Sequence, residues 1–225
     1  HMLKRGNFVA DILFFTGENS PVQVAVHVEE PVAATLSGAR PRLPLEVPEG
    51  HDYDVCDAEV LLKRAKIADG RIVLPDGISY RVLVLPEDQR ITHELMTRLR
   101  AMVAEGMWLV GAAPRHSHGL AGYPQSDAEV QAMARELWGD LDGAARRERD
   151  FGKGRVIWGR SLREVLDAAQ TRPDVELFPA MHDAAIRWIH RRDGDADIYF
   201  IANGRRRRED VTGIFRVAGK RPEIW

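Results

Sequence analysis

Cysteine is almost missing: Cys56 stands alone among 225 residues. A lone thiol excludes an intrachain disulfide and any zinc cluster built on several cysteines. It leaves the compartment open, a soluble parent in the periplasm or outside the cell included. No apolar run approaches the roughly 18 residues of a membrane span, so no membrane partner is expected. Charge of one sign is not in excess either. Lys plus Arg is 32 and Asp plus Glu 34, a formal net charge of −2, which argues against a dedicated nucleic-acid binder. There is no internal repeat and no charged leader followed by a short apolar stretch. No glycine-rich phosphate loop appears, and no cofactor is expected. What is present, 44% apolar and 29% charged residues, describes an ordinary soluble globular chain. Its length corresponds to about one and a half domains and suffices to bury about 70% of the unfolded surface.

His1 ahead of Met2 reads as a tag or cloning remnant, so residues 1–2 stand outside the fold. The far end stops on Glu223-Ile224-Trp225 without a polar tail, and both ends look like cuts. Phe8 to Phe15 is a nearly continuous apolar run closed by Thr16-Gly17-Glu18-Asn19-Ser20-Pro21, the signature of a strand buried on both faces. A helix near 22–37 and a proline-rich connection follow. Tyr53–Cys56 is a second strand, and Asp57 can cap a helix from Ala58 to Arg64. Asp69-Gly70 between apolar runs signals a hairpin within 66–80. Tyr80–Leu85 is the clearest strand. Thr92 caps a helix from His93 to Glu105, ended by Gly106. Met107–Gly111 is a strand. Ser126, with Glu129 three residues on, reads as a capping box for a helix to Trp138. Gly154–Trp158 is a strand, and Ser161–Gln170 a helix.

Alternating strands and helices predict an α/β fold with a parallel sheet and helices on both faces. After about residue 180 the grammar changes. Ala185–His190, Asp197–Ala202 and Gly213–Val217 read as strands joined by turns, hence an antiparallel β-segment. We expect an α/β domain over 3–180 and the start of a β-sandwich module over 181–225. Unpaired edges among these late strands make a second copy of the chain a candidate partner.

Chemistry-bearing residues are few. Cys56 could be a nucleophile, but its neighbours Asp54 and Asp57 disfavour a thiolate, and a buried structural cysteine is the plainer reading. His116-Ser117-His118 has metal-ligand spacing without a third ligand. Asp193-Gly194-Asp195-Ala196-Asp197 opens like a calcium loop, yet Ile198 and Gly204 stand where the glycine and the last acid belong. A hairpin turn explains it better. Arg205–Arg208 is a basic run blunted by Glu209 and Asp210. Glu18 and Asn19 after the first strand, with Asp52, Tyr53 and Asp54 at the next, combine carboxylates and an aromatic that suit sugar binding. Loop capping is the alternative.

Three stretches carry a resemblance: Phe8 to Glu18, Gly50-His51-Asp52-Tyr53-Asp54, and Asp69-Gly70 through Tyr80-Arg81-Val82-Leu83-Val84-Leu85-Pro86. With Glu136-Leu137-Trp138-Gly139, Trp188-Ile189-His190 and Asp197-Ile198-Tyr199-Phe200 they resemble glycoside hydrolase family 106, the α-L-rhamnosidase-like proteins. The resemblance covers nearly the whole chain. It implies a flavodoxin-like or class I glutamine-amidotransferase-like domain that follows a catalytic barrel and precedes β-sandwich modules. It implies carbohydrate as the parent's substrate, the barrel as a partner in cis, and catalytic glutamates that lie outside this chain. No catalytic or metal residue is carried over; Glu18, Asn19, Asp52, Tyr53 and Asp54 remain candidates for substrate contact. The expected function is an accessory, non-catalytic fragment of a rhamnosidase. The alternatives are a carbohydrate-binding or oligomerisation module, and an independent amidotransferase- or flavodoxin-like enzyme.

Overall fold

The computed structural model describes residues 4–18, 43–119 and 122–225. The expected helix near 22–37, and Asn19, lie outside the described residues.

Six strands form the central sheet, in the spatial order β11 (Glu148–Phe151), β12 (Gly154–Ile157), β9 (Trp108–Val110), β7 (Val82–Val84), β2 (Ile12–Phe15), β3 (Tyr53–Cys56). All neighbours are parallel except β11 and β12, which form an antiparallel hairpin. β2 and β7 are apolar throughout and fully buried, as strands covered on both faces must be. On one face lie α1 (His93–Glu105) and α2 (Gln125–Trp138), which pack Leu95, Met96, Leu99, Val130 and Leu137 against Leu13, Leu83 and Leu109. On the other, α3 (Leu162–Ala168) sets Leu162, Val165 and Leu166 against Ile12, Phe14 and Val84. The indole Nε1–H of buried Trp138 donates to the Gly111 carbonyl at 2.9 Å.

The local signals mostly decode as expected. Asp69 (φ 50°) and Gly70 (φ 69°) form the left-handed two-residue turn between β4 (Lys66–Ala68) and β5 (Arg71–Val73), with β6 (Ser79–Tyr80) alongside. The Thr92 hydroxyl accepts from the Leu95 amide at the start of α1. Two expectations need correction. The stretch after Asp57 is a π-helical turn, Val60–Arg64, closed by a 2.8 Å bond from the Ala65 amide to the Val60 carbonyl. An i to i+5 bond of this kind replaces the α-helix read from the apolar pattern. Ser126 is not a cap: the N-cap of α2 is Pro124, two residues earlier, and the buried Ser126 hydroxyl has no hydrogen-bond partner among the described residues. The reciprocal box occurs instead at α3, where Ser161 and Glu164 exchange bonds.

The β-rich end is tied to the sheet. β14 (Ile186–Asp193) pairs with β15 (Ala196–Asn203) on one side and with the N-terminal β1 (Asn7–Phe8) on the other. β13 (Val175–Pro179), unforeseen in the sequence, pairs with β16 (Val211–Phe215). The antiparallel pairing therefore reaches back across residue 180. Two strands of two residues, β8 (Arg90–Ile91) and β10 (His116–Ser117), pair beside α1.

Candidate functional site

Parallel register fixes where the sugar-binding candidates fall. Ile12 lies opposite Tyr53 and Phe15 opposite Cys56. Asp11 and Asp52 therefore meet at the amino edge of the sheet, while Glu18 emerges at the carboxyl edge. The Glu18 carboxylate accepts from the Thr92 amide at 2.7 Å and the Thr92 hydroxyl at 2.9 Å, so it extends the cap of α1. Tyr53 meets Phe14 edge to face, ring centroids 5.5 Å apart. Asp54 accepts from the Tyr80 hydroxyl at 3.0 Å. Glu18 and Asp52–Asp54 thus do not share one site.

What the amino edge does assemble is a buried ionic network between the sheet and the late strands. Asp11, 2% exposed, accepts a forked pair from Arg216 at 3.0 and 3.2 Å and faces the His51 ring nitrogen at 2.9 Å. Burial alone would raise its carboxyl; the His51 bond and the Arg216 guanidinium outweigh it and hold Asp11 below the usual value. Arg216 also donates to the Arg172 carbonyl at 2.7 Å and lies 3.6 Å from Asp174. Asp174 in turn faces Nδ1 of His190 at 2.7 Å and accepts from the Tyr199 hydroxyl at 2.9 Å. Nε2 of His190 faces Asp197 at 2.9 Å, so each ring nitrogen lies against a carboxylate. Burial would likewise raise Asp197, but Lys220, His190 and Arg192 bring it down to about 2. The Tyr199 ring stacks on His190 with centroids 4.1 Å apart.

Asp52 is the exception. Burial, with the charges of Asp174, Asp54 and Asp11, pushes its carboxyl up to about 6, against one bond from the Tyr53 amide. A raised carboxyl is a mark of proton-transfer sites, although structural networks produce it too.

Sequence reading passed over Asp11, His51, Asp174, His190 and Arg216. The signal was there: Asp11 interrupts an apolar run and His190 follows Trp188-Ile189 in a strand, and buried charges are rarely left unpaired.

The other candidates resolve locally. Cys56 is buried, and burial with Asp57 and Asp54 pushes its thiol far above the usual value, a poor nucleophile. His116 faces Asp127 at 3.3 Å. Among the described residues no group of three or more His, Cys, Asp or Glu is placed to hold a metal. Residues 193–196 form the β14–β15 turn. In the basic run, Arg207 forks onto Asp183 and also binds Glu209, and Arg208 binds Asp210. No helix among the described residues is long and apolar enough to cross a membrane.

The family model described as alpha-L-rhamnosidase, glycoside hydrolase family 106, matches residues 1–225. The chain belongs to glycoside hydrolase family 106. A curated relative, a putative beta-glucuronidase of Formosa agariphila, is 33% identical over 224 residues, all of this chain but 16% of that protein. The solved rhamnosidase of Novosphingobium sp. PP1Y superposes with a TM-score of 0.79 at 26% identity, covering 97% of this chain and 19% of that one. This family 106 chain therefore spans under a fifth of the length of either relative.

Proposed function

We propose that these residues are a non-catalytic scaffold segment of a longer glycoside hydrolase, and that the parent hydrolyses terminal α-L-rhamnosyl linkages. The observation that carries this reading is the use to which the buried acids are put. Asp11 and Asp174 are each held by cationic or hydrogen-bonding partners across the junction, and Asp197 by His190, Arg192 and Lys220 within the late segment. Glycosidase chemistry needs two carboxyl groups about 5–9.5 Å apart flanking an open sugar site. Acids locked into a structural network are poor candidates for that work. The small share of each relative that the chain covers supports placing the acid/base pair elsewhere in the parent, in a barrel acting in cis.

Numbering the parallel strands along the chain, β2, β3, β7, β9 and β12 lie in the order 2-1-3-4-5, the order of flavodoxin-like doubly wound sheets. We take residues 3–180 as that α/β unit and 181–225 as the start of a β-module. The exposed Phe178, Phe200, Ile201 and Ile214 on the late strands favour a second role as a contact surface, toward the rest of the parent or another copy.

The test is direct. The purified chain, folded by circular dichroism, is incubated with an aryl α-L-rhamnoside and an aryl β-glucuronide. The expected result is release of phenol no faster than in buffer. Turnover at an enzyme-like rate on either would overturn the scaffold assignment.

A further inference from the structure

A cleft of about 900 Å³ opens at the amino edge of the sheet, bordered by the network just described. Five arginines line it, Arg71, Arg81, Arg172, Arg192 and Arg216, against two acids, Asp11 and Asp69. Two are answered by carboxylates, Arg216 by Asp11 and Arg192 by Asp197. The other three make no hydrogen bond or ion pair to a carboxylate among the described residues. Arg71 donates to the hydroxyl and carbonyl of Ser79, at 3.1 and 3.2 Å. Arg81 donates to the Gly70 carbonyl at 3.2 Å and lies over the Trp108 ring. The Arg172 side chain is exposed and makes no hydrogen bond or ion pair among the described residues.

Carbonyl and hydroxyl acceptors orient a guanidinium but do not cancel its charge. Gathering like charges in a partly desolvated cleft is costly unless an anion joins them. Arg71 registers that cost: burial, with the charges of Arg216, Arg81 and Arg192, lowers it despite the pull of Asp11. The volume falls within the range of clefts that hold small ligands, roughly 300–1,000 Å³. Ser79, Gln170 and Thr171 on its walls offer hydroxyl and amide groups of the sort that bind sugar hydroxyls.

We propose that this cleft binds the oxyanion of an acidic saccharide through Arg71, Arg81 and Arg172. The guanidinium fork matches carboxylate and sulfate ester alike. The anion rests on the arginines alone, while the saccharide rests on the glycoside-hydrolase reading above.

Calorimetric titration of the whole chain at low salt tests it, with four probes: trigalacturonate, a sulfated trisaccharide, rhamnose and inorganic sulfate. One of the two acidic oligosaccharides should bind with a Kd below about 1 mM, and which one binds identifies the oxyanion. Rhamnose and inorganic sulfate should be at least about tenfold weaker. Arg172→Gln, at an exposed side chain, and Arg71→Met should each weaken binding by about tenfold or more, with unchanged circular dichroism. Arg206→Gln, on the distant basic turn, should leave it unchanged. The proposal is overturned if neither acidic oligosaccharide binds, if inorganic sulfate binds as tightly, or if both cleft variants keep full affinity. Hydrolysis of the aryl rhamnoside by the isolated chain would overturn the scaffold reading and leave this result standing.

Discussion

Arg216→Met is the perturbation that interrogates the junction most sharply. The arginine is 28% exposed, but the carboxylates that it touches, Asp11 and Asp174, are 2% and 3% exposed. Methionine keeps much of the stem's packing and removes the charge. Among the described residues Asp11 then keeps its hydrogen bond with His51, and Asp174 keeps those with His190 and Tyr199. Stranding one member of a buried pair costs about 3–5 kcal/mol. Partial solvent access at the guanidinium argues for the low end, about 3 kcal/mol. That is a large share of a typical folding stability of roughly 5–15 kcal/mol, and corresponds to a fall in Tm of about 6–12 °C. Urea unfolding followed by the fluorescence of the five tryptophans reads it. Asp11→Asn in the same chain should restore part of the loss, because the stranded charge is then gone. The pH dependence has a definite sign. Asp11 titrates lower in the folded state than in the unfolded chain, so its contribution is complete above about pH 4 and is lost as pH falls through the folded value. The deficit of the variant should be constant from pH 5 to 8 and shrink in more acid solution. A variant within about 0.5 kcal/mol of the parent chain at pH 7, the scatter of ordinary surface changes, would refute the reasoning.

Asp52→Asn should act in the opposite sense. The carboxyl titrates at about 6 in the fold against 3.8 unfolded, so ionisation costs stability as pH rises through that window, by about 3 kcal/mol in full above pH 6. The variant should match the parent chain near pH 4 and exceed it at pH 7; a pH-independent difference in urea midpoints would contradict the assignment. Gly50→Ala should destabilise by about 2 kcal/mol or more, because Gly50 sits at φ +82° and a Cβ there would lie 2.5 Å from the Val175 carbonyl oxygen. Thermal melts decide it, and an unchanged Tm would remove this close approach from the account of the junction.

Much of the sheet was legible because its strands obey a local rule. Ile12–Phe15 and Val82–Val84 are apolar at every position, and Asp69-Gly70 adopts the turn its residues favour. β13 and β11 escaped notice for a physical reason. Val175–Pro179 alternates little and ends on proline, and its ladder comes from the sequence-distant β16; Glu148–Phe151 is charged at three of its four positions, and its ladder comes from the hairpin with β12. The candidate site was legible only in composition. Glu18 and Asp52 look alike in sequence, but parallel register sends them to opposite edges. The network had a different kind of signature, single charged residues within apolar strands, whose partners lie up to 205 positions away. No local pattern connects Asp11 to Arg216.

The claim that this segment builds rather than catalyses is tested most directly in a longer family 106 enzyme that contains it. Glu18→Gln, Asp52→Asn and Asp54→Asn are made singly, and single-turnover hydrolysis of an α-L-rhamnoside is measured on the folded variants. The account predicts rates within about threefold of the parent enzyme, because a lost catalytic acid or base costs about 10²–10⁴-fold. A loss of that size in any one of them, with the fold intact, would place a catalytic carboxylate within these residues and contradict it.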